Sequence, residues 1–63
     1  MTKDQEQTVF NHFMNVHALV LLTSDFHEIE LCRGDHDRLT RYFWQEHGYV
    51  LTKEDFNVIE SNL

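Results

Sequence analysis

The chain has 63 residues, a net charge of −6 from eleven Asp and Glu against five Lys and Arg, 41% hydrophobic residues and one cysteine. A chain this short buries only about 60% of its unfolded surface, which leaves a thin core and no room for a deep catalytic cleft. Lone Cys32 excludes an internal disulfide, the acidic balance disfavours phosphate backbones, and the apolar and aromatic content is too high for a disordered acidic tail.

No apolar run approaches the roughly 18 residues of a membrane span, and no basic segment precedes a cleavable apolar core, so the expectation is one cytosolic domain over 1–63. Proline is absent and Gly34 and Gly48 are the two glycines, which makes helices the natural elements. Thr2 with Gln5 forms a capping box, and Val9, Phe10, Phe13, Met14, Val16, His17, Val20 and Leu21 recur at helical spacing to about residue 22. A short second helix starts near Asp25 with Phe26, Ile29 and Cys32 on one side, and Gly34 follows its end. The alternation of His27, Ile29 and Leu31 with Glu28 and Glu30 leaves a hairpin over 20–31 as the competing reading, weakened by a "TSD" connection without Asn-Gly or Asp-Gly.

Asp35 or Asp37 opens a third helix carrying Leu39, Tyr42, Phe43 and Trp44 as far as Gly48. Thr52 caps a fourth with Asp55 three residues on, Leu51 able to staple onto Phe56, and Ile59 and Leu63 beyond. Nothing reads as a repeat, a linker or a low-complexity segment. The expected fold class is therefore all-α, a small bundle of about four helices with a long first helix followed by three shorter ones.

Candidate chemistry is sparse. Cys32 and His36 make one pair of metal-ligand types where a structural zinc site needs two, and His12 and His17, five apart, point about 140° from each other on an ideal helix. No metal and no cofactor is expected, and Cys32 reads as a small buried hydrophobe. No nucleophile signature or phosphate loop occurs, and the paired acids read as solvated faces, so the chain is not expected to be an enzyme. A helix-turn-helix built on "RGDHDR" would present Arg38 and Arg41 to DNA, against Asp35, Asp37 and the overall charge. An acidic mimic of DNA is a further alternative.

Helix one carries an apolar arc about 160° wide, against the roughly 100° a surface helix needs, and at "ALVLL", 18–22, it is apolar nearly all round. A homodimer centred on Phe10, Met14, His17 and Leu21 would cover the surplus. His17, inside the arc, suits an interface and offers a weak basis for pH sensing. Trp44 lies off the stripe of Leu39, Tyr42 and Phe43. It either packs under helix four against Phe56 and Ile59 with one edge exposed, the preferred expectation, or joins Tyr42 as an aromatic anchor for a partner.

The run "RLTRYFWQEHGYVLTKEDFNVIESNL", the opening "MTKDQEQTVFNH" and the overall length resemble a small early protein of lambda-like bacteriophages, the sixty-three-codon reading frame between the exonuclease and excisionase genes. The resemblance is strongest over Leu39 to Leu63 and weakest from Phe13 to Asp37. It transfers context and no active-site residues. It implies a non-enzymatic accessory protein in the host bacterial cytoplasm, associated with the choice between lysis and lysogeny and with the host cell cycle, acting through an unidentified host or phage protein.

Overall fold

The computed structural model describes residues 1–63 as four helices and no strand: α1 Lys3–His17, α2 Thr23–Leu31, α3 His36–His47 and α4 Lys53–Ser61. The class is all-α, and the hairpin alternative for 20–31 falls, because α2 occupies most of that segment. No helix is long and apolar enough to cross a membrane.

Three of the four helix starts follow the sequence, whereas α2 begins at Thr23, two residues before the expected Asp25, with Leu22 as its capping residue. Thr2 and Thr52 each accept from the backbone three residues on while Gln5 and Asp55 reach back, so α1 and α4 open on complete capping boxes. Asp35 caps α3 by accepting from the Arg38 N–H at 3.1 Å. The α3 stop is also as expected, with Gly48 left-handed at φ 63°.

The first helix is shorter than expected. It stops at His17 because Ala18 turns left-handed at φ 53°, the one non-glycine residue to do so. The Ala18 N–H then returns to the Met14 carbonyl at 3.1 Å, as in a left-handed helix cap, and the Leu19 N–H to the Phe13 carbonyl at 3.0 Å. Beyond it "LVLL" runs extended, with Leu21 buried, Leu19 half-buried, and Val20 and Leu22 outside. The apparent all-round apolarity is thus the alternation of an extended segment.

The same turn recurs thirty residues later, and an internal repeat, contrary to the expectation of none, accounts for it. Phe13, His17, Val20, Leu21, Asp25, Phe26, Ile29 and Glu30 recur as Phe43, His47, Val50, Leu51, Asp55, Phe56, Ile59 and Glu60, with Ala18 answering Gly48. Burial repeats with them residue by residue from 11–30 to 41–60. The helices pack across the halves, α1 against α4 and α2 against α3, which exchange when the halves are swapped. Phe13 stacks on its own equivalent Phe43, ring centroids 5.5 Å apart and planes 19° from parallel, as residues beside an approximate twofold axis would. Each half is a helix-turn-helix unit that buries its apolar side against the other. The shared core is Val9, Phe13, Leu21, Ile29 and Cys32 from the first half and Leu39, Phe43, Leu51 and Ile59 from the second.

Trp44 departs from expectation. It is 58% exposed and absent from the side chains packed on the core, and Phe56 is covered instead by the ring of His36, 4.3 Å away and nearly parallel. The reason is angular: Leu39 and Phe43 fill the face that α3 turns inward, and residue 44 lies a further 100° round the helix.

Candidate functional site

Two buried carboxylates, Asp25 and Asp55, stand third in α2 and α4, one per half. Each does two jobs. Its backward-reaching oxygen accepts the N–H of the helix-capping residue, Leu22 for Asp25 at 2.7 Å and Thr52 for Asp55 at 2.9 Å. The rest of the carboxylate receives polar side chains, from the opposite half and, for Asp55, also from Tyr49 of its own half. Asp25 accepts the Tyr42 hydroxyl at 2.7 Å. Asp55 accepts His12 Nε2–H at 2.6 Å and His17 Nε2–H at 2.8 Å on one oxygen, and the Tyr49 hydroxyl joins Thr52 on the other. The pairings are crossed, so these carboxylates tie the halves together.

Burial alone would raise the Asp55 carboxyl, but the Thr52 N–H, the Tyr49 hydroxyl and the two histidines outweigh it and hold its pKa at about 2. Burial, and then the bond to Asp25, push the Tyr42 hydroxyl up to about 12, and burial with Asp55 moves Tyr49 in the same direction. The first cluster is less complete. His47 Nε2 lies 3.0 Å from Asp25 but off the hydrogen-bonding direction, and it is the one buried side-chain nitrogen or oxygen without a partner.

The convergence of His12 and His17 overturns the angular argument that kept them apart. His17 ends α1, and the two side chains span the gap so that their nitrogens and an Asp55 oxygen all lie within 4.8 Å of one another. Three such donors could hold a metal ion. Asp55 is, however, saturated by four donors, and in the equivalent cluster Asp25 still bonds the Leu22 N–H and Tyr42, which stands in the place of His12. The arrangement therefore reads as a buried polar lock. Nor do Cys32 and His36 meet: Cys32 donates to Glu28 at 3.3 Å, and His36 turns to Glu60 and Phe56. Burial and the neighbouring Glu28 raise the Cys32 thiol, which keeps it unreactive.

The surface is more informative than the locks. Among the residues expected at a dimer centre, Leu21 is buried in its own chain, Phe10 is packed against the core, and His17 is engaged by Asp55, which leaves Met14 alone exposed. Of the expected partner anchors, Tyr42 is committed to Asp25 and Trp44 is free. Met14 and Trp44 are equivalent positions of the repeat, as are exposed Val20 and Val50. The first half adds exposed Val16, Leu22 and Leu31 where the second has Glu46, Thr52 and Ser61. An internal repeat was the one sequence signal able to reveal both the crossed locks and this imbalance. Comparison with protein families, curated proteins and solved structures finds no match for this chain.

Proposed function

We propose that the chain is a non-enzymatic early protein of a lambda-like bacteriophage that works in the host cytoplasm by docking on a host or phage protein, shifting the balance between lysis and lysogeny. The observation that carries the docking reading is Trp44, 58% exposed on a domain too small to leave a large burial term unused without consequence. Exposed Met14, Val16, Val20, Leu22, Leu31 and Val50 add apolar area. A Trp fixed on a rigid helix is the kind of residue that dominates binding hot spots. The phage setting rests on the resemblance of the opening and of Leu39 to Leu63. No cofactor enters this reading, because the polar clusters are consumed in holding the fold.

A nucleic-acid role is less well supported, since Arg38 lies 3.4 Å from Glu28 and follows the cap carboxylate of Asp35, while Lys53 is followed by Glu54. The test is Trp44→Ala. Its stability should stay within about 0.5 kcal/mol of wild type, because the ring is exposed. A lambda-like phage carrying it should show the lysogenisation frequency of a phage lacking the gene. A variant that melts normally and keeps the wild-type frequency removes Trp44 as the anchor.

A further inference from the structure

The two halves differ at one place where the second shows what the first lacks. In the second half His36 lies flat on Phe56, ring centroids 4.3 Å apart and planes 16° from parallel, while its Nε2 reaches the Glu60 carboxylate. The repeat places Glu6 at the position of His36, Phe26 at that of Phe56 and Glu30 at that of Glu60. Phe and Glu are kept, and the planar imidazole between them is replaced by an acid. Phe26 borders an open groove of about 310 Å³ lined also by Lys3, Glu6, Gln7 and Phe10, which continues past Thr23 and His27 to Glu30.

We infer that this groove receives an arginine side chain from a basic segment of a partner protein, stacked on Phe26 and paired with Glu6. The occupant must be planar to lie on the ring as His36 does on Phe56, and cationic to sit between Glu6 and Glu30. Guanidinium meets both conditions at every physiological pH and offers a flat fork of donors to a carboxylate, which an ammonium does not. Glu6 is half-buried and forms no ion pair within the chain, so it is available. Glu30 is partly engaged, one oxygen taking the Met1 ammonium, whose charge and hydrogen bond lower its pKa. Glu6 is thus the principal partner and Lys3 marks the end that repels a second cation. A chain of net charge −6 also favours a basic partner.

The inference deepens the protein-docking reading but stands on a different surface, so Trp44→Ala should leave it unchanged and the two can fail separately. The probe is the capped tripeptide acetyl-Gly-Arg-Gly-amide, titrated into the full chain and followed by amide and aromatic NMR shifts, with the lysine and citrulline versions beside it. A single arginine should bind in the millimolar range with shifts focused on Glu6, Phe10 and Phe26, lysine several-fold weaker, and neutral citrulline without focused shifts. Glu6→His should rebuild the stack of the second half on Phe26 and weaken the arginine peptide by at least about tenfold. His36→Glu should uncover Phe56 and create a second focused set of shifts there. Where His36→Glu does not fold, the Glu6→His comparison decides alone. Shifts spread evenly over all carboxylates, equal binding of citrulline, or full binding to Glu6→His would overturn the inference. So would a dimer in sedimentation that Glu6→His dissolves, since the occupant would then be a second copy of the chain.

Discussion

Residues 9–30 and 39–60 fold alike and face outward differently. The inward positions repeat nearly unchanged because each half must fill the same space in the other: Phe13 against Phe43, and each buried aspartate against the polar side chains of the opposite half. Outward positions carry no such constraint. There the second half places Glu46, Thr52 and Ser61 and closes Phe56 under His36, while the first leaves Val16, Leu22 and Leu31 exposed and Phe26 beside an open groove. The difference separates two demands on one fold: the inward faces hold the halves together, while the outward faces, Trp44 in the second half and the larger apolar set in the first, keep surface that a monomer does not need.

The largest expected effect tests the locks. Asp55→Ala strips the acceptor from His12, His17, Tyr49 and the Thr52 N–H at once, and should cost about 3 to 5 kcal/mol in urea unfolding, much of the stability of a small domain. Asp25→Ala orphans the Tyr42 hydroxyl and the Leu22 N–H and should cost less, about 2 to 3 kcal/mol. Equal losses would mean that the two clusters are equivalent despite their different donors.

The same cluster sets the acid limb of stability. The Asp55 carboxyl is held at about 2 in the fold against an ordinary 3.8, so folding favours its ionised form. Stability from this group is complete above about pH 4 and is lost as pH falls through 4 towards 2, amounting to about 2 kcal/mol. Urea midpoints measured across that window in wild type and in Asp55→Asn should converge at the acid end. Parallel curves would assign the acid sensitivity to other carboxylates.

How much of this was legible in the sequence divides along the nature of the signal. Thr2, Asp35, Gly48 and Thr52 announced their helix ends because capping depends on the residue itself and its near neighbours. Ala18 did not, since alanine carries no sign of the left-handed turn that Gly48 marks at the equivalent position. His12 and His17 were judged by their angle on an ideal helix, which ignores how far an imidazole reaches from a helix end. The aspartate that gathers them is thirty-eight residues or more away, and only the spacing of the repeat could have placed it. The periodicity of α3 places Trp44 off the inward stripe, but it does not show that the ring of His36 occupies Phe56, the cover expected for the indole.

Smaller effects sharpen the contrast between scaffold and surface. Leu22 caps α2 without a side-chain acceptor, where Thr52 completes the box of α4, and Leu22 is 58% exposed. Leu22→Thr should therefore stabilise the chain by about 1 kcal/mol in urea melts. A Leu22 retained for a partner despite that cost should also be one whose replacement weakens partner capture. Gain of stability with no loss of capture would leave the apolar cap unexplained.

The smallest pair concerns the equivalent turns at residues 18 and 48. Both are left-handed, at φ 53° and φ 63°, and one is alanine where the other is glycine. A Cβ added at Gly48 meets nothing within 4 Å, so Gly48→Ala has no clash to relieve and its cost is backbone strain alone, about 1 kcal/mol. Ala18→Gly removes that strain but gives the unfolded chain more freedom, which offsets part of the gain, so a net stabilisation of about 0.5 kcal/mol is expected. The two substitutions thus move stability in opposite directions, and the double variant, which exchanges the turns, should lie slightly below wild type. A destabilised Ala18→Gly would mean that the Ala18 methyl contributes packing that outweighs its strain, and that the first turn is held by contacts the second does not have.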